Sequence, residues 1–128
     1  MTSIMVVDDE VFIVDLYRDI LKLKGYEVVA TAYDGDEAVK KFKTMDKRPD
    51  IIILDHRMPI KNGIDTMKDI LSIDRDSKIL FVSADTMIEN DAMKSGAAGF
   101  LSKPFRMDEL VESIERLKDC VTLRNASR

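Results

Sequence analysis

The hydrophobic residues of this chain alternate between short continuous runs and helical spacing. Residues 51–54 are all apolar and are bounded by Asp50 and Asp55. Residues 4–7 and 78–82 are runs of similar character. An apolar run bounded by turn residues is typical of a strand buried on both faces, as inside a parallel sheet. The three runs therefore predict three central strands, each followed by a polar residue.

Two further strands and five helices complete the predicted pattern. Residues 26–32 are rich in β-forming residues, and residues 98–101 form a last short strand. Between the strands, apolar residues recur three and four positions apart, which predicts amphipathic helices. The fourth helix is expected to begin at Thr86, which can form a capping box with Glu89, and to stop at Gly96.

Apolar residues recur at helical spacing in four of these helices. They are Val11, Val14, Tyr17, Ile20 and Leu21 in the first helix, Ala38, Val39 and Phe42 on one face of the second, Ile64, Met67, Ile70 and Leu71 in the third, and Leu110, Ile114 and Leu117, which are expected to face inward, in the last. Four methionines are interpreted as core residues, because methionine fills irregular gaps; they are Met67, Met87, Met93 and Met107. His56 is the only histidine and is interpreted as an exposed loop residue, since one histidine alone makes a poor metal site.

Strands and helices alternate five times along the chain. This order predicts an α/β fold with a parallel sheet, helices on both faces and right-handed crossovers. Residues 1–120 are interpreted as one domain, because the length suits a single core and no linker or repeat divides it. Residues 121–128 form a C-terminal tail that we expect to extend the last helix or to fray.

Charge and composition exclude several classes of protein. The formal net charge is −4, whereas a general nucleic-acid binder needs a basic surface. No apolar run approaches the roughly 20 residues of a membrane span, and the N-terminus lacks the basic region and cleavage motif of a signal peptide. Cys120 is the only cysteine, so no internal disulfide can form. These features indicate a cytoplasmic protein without direct contact with nucleic acid or membrane.

Polar residues stand out where four of the predicted strands end. Asp8 and Asp9 follow the first strand, and Asp55 follows the third. Ser83 follows the fourth strand, and Lys103 follows the fifth. Parallel strands have their carboxyl ends at one edge of the sheet, which is where ligands bind in open α/β folds. We therefore expect these five residues to converge despite their separation in sequence.

The chemistry of these residues is mutually consistent. Carboxylates about 4 Å apart repel by ~4 kcal/mol per pair at an effective dielectric near 20, so a cation is expected among them. Oxygen ligands without cysteine suit Mg²⁺ or Mn²⁺. A carboxylate such as Asp55 can attack phosphorus and form an aspartyl phosphate. The Lys103 ammonium and the Ser83 hydroxyl could then stabilise the phosphoryl oxygens.

Motifs at these strand ends resemble those of a known family. They are Val6-Val7-Asp8-Asp9-Glu10, Leu54-Asp55-His56-Arg57-Met58-Pro59 with Gly63 four residues on, Val82-Ser83-Ala84, and Lys103-Pro104-Phe105. In this order the motifs resemble the receiver domain of two-component response regulators, over essentially the whole chain. The resemblance implies a flavodoxin-like, doubly wound, five-stranded parallel sheet with strand order 2-1-3-4-5.

The resemblance also implies a role for each residue at the sheet edge. Asp55 accepts a phosphoryl group from a sensor histidine kinase or a phosphotransfer protein. Asp9, Asp55 and the Arg57 backbone carbonyl hold Mg²⁺ directly, and Asp8 supports it mostly through water. Lys103 binds the phosphoryl group. By this resemblance the protein is a signalling phosphoacceptor, which catalyses only its own phosphotransfer and dephosphorylation.

Signalling itself is implied to involve a switch pair and a partner face. Ser83, together with the Ala84 amide, moves toward the phosphoryl group, and Phe100 rotates inward. The face made by the fourth helix, fifth strand and fifth helix then changes shape and is read by a downstream protein. No output domain follows the last predicted helix, so the chain resembles a stand-alone receiver.

Three features of this chain bear on its variable positions. Phe100 lacks the hydroxyl of the commoner tyrosine, so no hydrogen bond from that group can report its rotation. Arg57 and Asp85 flank the phosphoryl entrance and are expected to control the lifetime of the phosphoryl group by pairing across it as a lid; the alternative is two unconnected solvated side chains. The Lys103-Pro104 peptide bond is predicted to be cis, because Lys103 must point back into the site from a tight turn.

Two other functions use similar residues. A haloacid-dehalogenase-like phosphatase also forms an aspartyl phosphate with Mg²⁺, but it needs a second acid two residues after the nucleophile, where this chain has Arg57. It also needs a cap domain, for which the chain has little room. A flavin-binding module of the same fold needs a phosphate-binding loop after the first strand, where Asp8 and Asp9 would repel the flavin phosphate.

Overall fold

The structure is a computed structural model that describes the backbone of residues 1–126 and the side chains of residues 1–118. The five strands are β1 (Ser3–Val7), β2 (Glu27–Ala32), β3 (Ile51–Asp55), β4 (Ile79–Ser83) and β5 (Gly99–Ser102). The five α-helices are α1 (Val11–Leu23), α2 (Gly35–Thr44), α3 (Gly63–Ile73), α4 (Glu89–Lys94) and α5 (Met107–Ala126). Strands and helices alternate as the hydrophobic pattern predicted.

All strand pairs are parallel, and the sheet order is β2-β1-β3-β4-β5. The doubly wound, flavodoxin-like fold is therefore confirmed. The strand order reverses between β1 and β3, whose register pairs Val7 with Leu54. Ligands in such sheets bind beyond the carboxyl ends of the strands at this reversal. The acidic residues that follow Val7 and Leu54 lie at that place.

The core lies in two layers, one on each face of the sheet. Successive residues of β3 alternate between them: Ile51 and Ile53 face α1 and α5, whereas Ile52 and Leu54 face α2, α3 and α4. All four are buried, and each contributes roughly 1.5–3 kcal/mol by leaving water. Apolar side chains on both faces explain why the third strand is a continuous apolar run.

The start of the fourth helix differs from the prediction. Asp85, not Thr86, is the capping residue, since its side chain accepts a hydrogen bond from the Met87 amide at 3.0 Å. A 3₁₀ turn spans Thr86–Ile88, and α4 begins only at Glu89. Aspartate is at least as good a cap as threonine, and here it stands one residue earlier in the chain.

The interpretation of the methionines holds for only part of the set. Met67 is fully buried and Met107 packs partly buried against the core, but Met87 is 87% exposed and Met93 is 43% exposed. The 3₁₀ turn that contains Met87 buries none of its residues, and the short helix α4, which contains Met93, buries only Ala92. Core positions for Met87 and Met93 were therefore a wrong prediction.

Helix α5 runs to Ala126, so the backbone after residue 120 extends the last helix as expected. The side chain of Cys120 and residues 127–128 lie outside the described part of the structure. The division at residue 120 stays a prediction. None of the described helices has the length and apolar character needed to cross a membrane.

Candidate functional site

Three carboxylates meet where β1 and β3 end. Asp8 is 2% exposed and Asp55 is 8% exposed, while Asp9 is open to solvent. One oxygen from each of the three lies within 4.8 Å of the others. The Asp8 side chain also accepts a hydrogen bond from the Glu10 amide at 3.0 Å, which fixes its orientation. A cluster of oxygen donors at this spacing fits a hard divalent cation such as Mg²⁺.

The Lys103 ammonium lies against two members of this cluster. Its Nζ atom is 3.2 Å from Asp55 Oδ1 and 3.5 Å from Asp8 Oδ2. The backbone amide of Lys103 donates to the Ser83 carbonyl at 2.9 Å, which ties the loop after β5 to the end of β4. The following peptide bond to Pro104 is cis, so this prediction is confirmed.

Burial and neighbouring charges act in opposite directions on Asp55. Burial raises its pKa, Lys103 lowers it and Asp8 raises it again, so that the pKa of Asp55 rises to about 6. For Lys103, burial lowers the pKa, but Asp55 and Asp8 together raise it above its ordinary value. At neutral pH the site therefore holds an ionised Asp55 carboxylate beside an ammonium group, in surroundings that still favour an added cation.

Ser83 and Ala84 lie at the same edge of the sheet. The β3–β4 register pairs Asp55 with Val82, so Ser83 follows directly beyond the pair. Ser83 is buried, and its Oγ accepts a hydrogen bond from the Asp85 amide at 3.0 Å. This hydrogen bond ties the Ser83 hydroxyl to the loop between β4 and α4. A movement of the hydroxyl would therefore have to break this bond or move the loop.

Phe100 lies away from the carboxylates, on the layer that also contains α4. Its ring stacks on the buried Phe81 ring with centroids 6.1 Å apart and an angle of 14° between the planes. The β4–β5 register pairs the same two residues. Phe100 itself is half-buried, so part of its ring faces solvent.

Arg57 and Asp85 do not form the predicted pair. Among the described side chains there is no ion pair between them within 4.0 Å, because the Asp85 carboxylate is turned toward the Met87 amide of its own loop. Arg57 is exposed and, with Asp9, lines an open hollow beside the cluster. The lid in the form of an arginine–carboxylate pair was therefore a wrong prediction for this state.

His56 is not the exposed loop residue that was expected. Its ring packs against Phe81 with centroids 5.7 Å apart, and its Nδ1 is buried without a hydrogen-bond partner in the described residues. Gly63 explains this, since a Cβ there would lie 2.7 Å from His56 Cα and 2.5 Å from the Asp55 carbonyl oxygen. The close approach of the chain at Gly63 places the imidazole against the Phe81 ring. Burial lowers its pKa, which Asp85 partly offsets.

The sequence interpretation missed two features around the site. One is an apolar cavity of about 450 Å³ next to Lys103, lined in part by Tyr17, Pro104 and Phe105. Tyr17 stacks on Phe105, and burial, followed by the charges of Asp8 and Asp55, raises its pKa. The available signal was Ile13 and Leu16, apolar residues of the first helix that lie outside the helical spacing of Val14, Tyr17 and Leu21, since both line this cavity.

The second missed feature is Lys61. Its side chain contacts Asp69 on α3 and Asp36 near the start of α2. No local pattern indicates these contacts, because they exist only when α2 and α3 lie side by side.

Comparison with known proteins shows the family of this chain. Residues 4–115 match the model of the response regulator receiver domain. The chemotaxis protein CheY of Thermotoga maritima is 39% identical over 116 residues, which cover 89% of this chain and 95% of that protein. The chemotaxis protein CheY of Bacillus subtilis is 38% identical over 115 residues, covering 88% of this chain and 94% of that protein.

Solved structures share the fold over most of their length. CheY in a CheX–CheY–BeF₃–Mg²⁺ complex from Borrelia burgdorferi superposes with a TM-score of 0.86 at 30% identity, covering 91% of this chain and 88% of that chain. The response regulator TrrA of Thermotoga maritima, in complex with Mg²⁺ and BeF, has a TM-score of 0.82 at 36% identity, covering 91% of this chain and 99% of that chain. The chain therefore belongs to the response regulator receiver domain family of two-component signalling systems.

Proposed function

We propose that this protein is a phosphorylation-controlled switch in which Asp55 accepts a phosphoryl group from a sensor histidine kinase or phosphotransfer protein. The observation that carries the proposal is a buried Asp55 side chain with Lys103 Nζ at 3.2 Å and Asp8 and Asp9 beside it. An Asp55 oxygen attacks phosphorus while the bond from phosphorus to the donor's imidazole nitrogen breaks. The imidazole leaves and takes a proton from solvent.

The residues around Asp55 support a Mg²⁺- or Mn²⁺-dependent reaction. In the proposal Asp9, Asp55 and the Arg57 carbonyl hold the cation, and Asp8 supports it through water. The bound cation neutralises charge on the phosphoryl oxygens, which neither a carboxylate cluster nor one lysine can do alone. Lys103 contributes the second positive charge and keeps its contact with Asp8 when a phosphoryl group engages it.

The switch uses residues on the other side of the site. Ser83 and the Ala84 amide bind a phosphoryl oxygen, for which the Ser83 hydroxyl must leave the Asp85 amide. That movement pulls the loop before α4 and makes room for Phe100 to rotate inward. Met93 on α4 and Met87 in the 3₁₀ turn before it keep apolar surface exposed, which supports the face formed by α4, β5 and α5 as the docking surface for a downstream protein.

Exposed apolar residues on α1 support the proposal that the phosphoryl donor is a protein and not only a small molecule. Val11, Phe12 and Leu16 are exposed apolar residues in the first half of α1, with Phe12 at 76% exposure. Leu16 also lines the apolar cavity that contains Lys103 and Ala84 in its wall. A donor protein that covers this patch would remove apolar area from water while it brings its phosphohistidine to Asp55.

The relatives favour this function over the alternatives. The Borrelia burgdorferi and Thermotoga maritima structures hold Mg²⁺ with a beryllium fluoride, and the first also contains CheX. By analogy, we propose that this protein works in the cytoplasm, signals through protein contact and acts on no outside substrate. A haloacid-dehalogenase-like phosphatase or a flavin carrier is less well supported, since the family match covers residues 4–115.

Phosphorylation of Asp55 can be tested by intact-mass spectrometry. Acetyl phosphate with Mg²⁺ should add one phosphoryl group to the parent protein, and Asp55→Asn should show no adduct of comparable yield. Asp46→Asn serves as the matched control, because it makes the same change at an exposed carboxylate before the amino end of β3. Equal labelling of the parent and Asp55→Asn would disprove the assignment.

A further inference from the structure

We propose that Lys61 is a positioning residue for the cation site, because it holds the loop of residues 56–62 in its binding geometry before any cation arrives. The inference rests on the proposed function, in which the Arg57 carbonyl of this loop is a ligand. Lys61 itself touches neither the carboxylates nor the phosphoryl group. It acts through the backbone that carries Arg57.

The loop is closed at its ends but carries a strained residue in the middle. The Gly63 amide donates to the His56 carbonyl at 2.9 Å, and the Asn62 side chain caps α3 by accepting from the Asp65 amide at 2.9 Å. Between these ties, Ile60 has a φ of +72°, a conformation that β-branched residues rarely adopt. A loop under such strain stays in place only if other contacts determine its path.

Lys61 supplies contacts of that kind from two helices. Its Nζ donates a hydrogen bond to Asp69 Oδ2 on α3 and lies 3.6 Å from Asp36 Oδ1 on α2. The stem of the side chain passes where Gly35 has no side chain, since a Cβ there would lie 2.8 Å from Lys61 Cβ. The Lys61 side chain is only 25% exposed. One residue therefore joins the loop, α2 and α3.

A simpler interpretation is an ordinary surface ion pair, which adds little to stability. Lys61 differs from such a pair, because it belongs to the loop and its ammonium group contacts carboxylates on two different helices. A loop that is ordered in advance loses less conformational freedom when its carbonyl binds a cation. Lys61 should consequently affect cation affinity more than it affects unfolding.

The direction of the change in Mg²⁺ affinity distinguishes a positioning role of Lys61 from a purely electrostatic one. Removing a positive charge near a cluster of three carboxylates should, by charge alone, strengthen the binding of Mg²⁺. Losing the correct position of the Arg57 carbonyl should weaken it. Lys61→Met keeps the apolar stem against Gly35 and removes only the charge, so the two explanations predict opposite changes in Mg²⁺ affinity.

The experiment measures Mg²⁺ dissociation constants by calorimetry for the parent, Lys61→Met, Lys61→Arg and Arg48→Met. Arg48 is the matched control, because its ion pair with Asp74 at 3.7 Å is similarly exposed and does not involve the loop. We expect Lys61→Met to bind Mg²⁺ about threefold to tenfold more weakly, which is less than the roughly 10- to 100-fold cost of losing a residue that hydrogen-bonds a ligand directly. Lys61→Arg should restore most of the affinity, and Arg48→Met should bind as the parent does.

A second readout needs no cation. Amide hydrogen exchange of residues 57–62 in the metal-free protein should be faster in Lys61→Met than in the parent and in Arg48→Met. Unchanged or tighter Mg²⁺ binding with unchanged exchange would overturn the inference and leave Lys61 as a surface ion pair. A parent protein that binds no Mg²⁺ would overturn the proposed function and this inference with it. The two failures are distinguishable, because only the second appears in the parent protein.

Discussion

Lys103 Nζ lies 3.2 Å from Asp55 Oδ1, yet the pKa of Asp55 is raised to about 6 and not lowered. An ammonium this close normally lowers the pKa of a carboxyl group. Burial and the carboxylate of Asp8 outweigh it here. Folding therefore disfavours the charged form of Asp55 in spite of the ion pair. The consequences for stability can be measured without any phosphoryl donor.

The first prediction concerns pH and stability without metal. Because the pKa of Asp55 rises on folding from 3.8 to about 6, the folded state binds this proton more tightly than the unfolded state does. The stability that Asp55 contributes is therefore present below pH 4 and is lost as the pH rises through 6. Asp55→Asn should remove this loss.

Urea unfolding in EDTA between pH 4 and 7.5 is the measurement. We expect the stability advantage of Asp55→Asn over the parent to grow up to about pH 6 and then to level off. Changes in His56 and other groups appear in both proteins and cancel in the difference. Curves that run parallel over this pH range would show that Asp55 does not titrate near 6.

The second prediction concerns cation binding. Mg²⁺ should raise the melting temperature of the parent, because a ligand of the native state stabilises it by mass action. At a concentration of 100 times the dissociation constant this amounts to ~2.7 kcal/mol, or about 10 °C for a domain of this size. Differential scanning calorimetry at constant ionic strength measures it. Asp9→Asn should reduce the shift, and an equal shift with and without Asp9 would mean that Asp9 is not a ligand.

The third prediction concerns the lifetime of the phosphoryl group. Arg57 and Asp85 still flank the entrance in our proposal, but they form no pair in the structure, so we expect independent effects on hydrolysis. Arg57→Ala and Asp85→Ala should each speed the decay of phosphorylated protein, and the double variant should show the sum within ~0.5 kcal/mol of activation free energy. A double variant no faster than either single one would restore the lid as a pair.

Asp85→Asn separates the two roles of Asp85 in that experiment. Asparagine still accepts the hydrogen bond from the Met87 amide but carries no charge. If the cap matters for decay, Asp85→Asn should behave as the parent; if the charge matters, it should behave as Asp85→Ala.

The fourth prediction concerns Ile60. Its φ of +72° costs a β-branched residue roughly 1–2 kcal/mol, and its side chain is 76% exposed, so little packing offsets this cost. Ile60→Asn should therefore raise the free energy of unfolding by ~1 kcal/mol, because asparagine tolerates this conformation. Urea unfolding provides the measurement. Ile60→Val is the control, since it keeps the β-branch and should gain nothing; equal stabilities of all three proteins would show that position 60 is unstrained.

Much of the fold and of the acidic site could be predicted before the tertiary structure. The run of residues 51–54 indicates a strand buried on both faces whatever surrounds it, because a strand with two apolar faces fits only inside a sheet. Parallel alternation then brings Asp8, Asp55 and Lys103 to one edge, since all carboxyl ends lie there. These conclusions depend on periodicity and chain order, which are properties of the sequence.

Only the tertiary structure decided where side chains from different elements meet. The half-buried His56 ring packs against Phe81, because Gly63 lets the chain fold back there. Met87 is exposed because it lies in the 3₁₀ turn Thr86–Ile88, which buries none of its residues. Such contacts depend on the distances between elements that are far apart in sequence. The periodicity within one element carries no information about those distances.

The same reason explains Lys61 and Asp85. The contacts of Lys61 exist because α2 and α3 pack closely at Gly35, where no side chain intervenes. Asp85 faces the Met87 amide and not Arg57, because a nearby backbone donor can be reached without ordering a second long side chain. The sequence by itself determined which residues would gather at the carboxyl edge of the sheet. The packing of the helices and loops decided which of them contact one another.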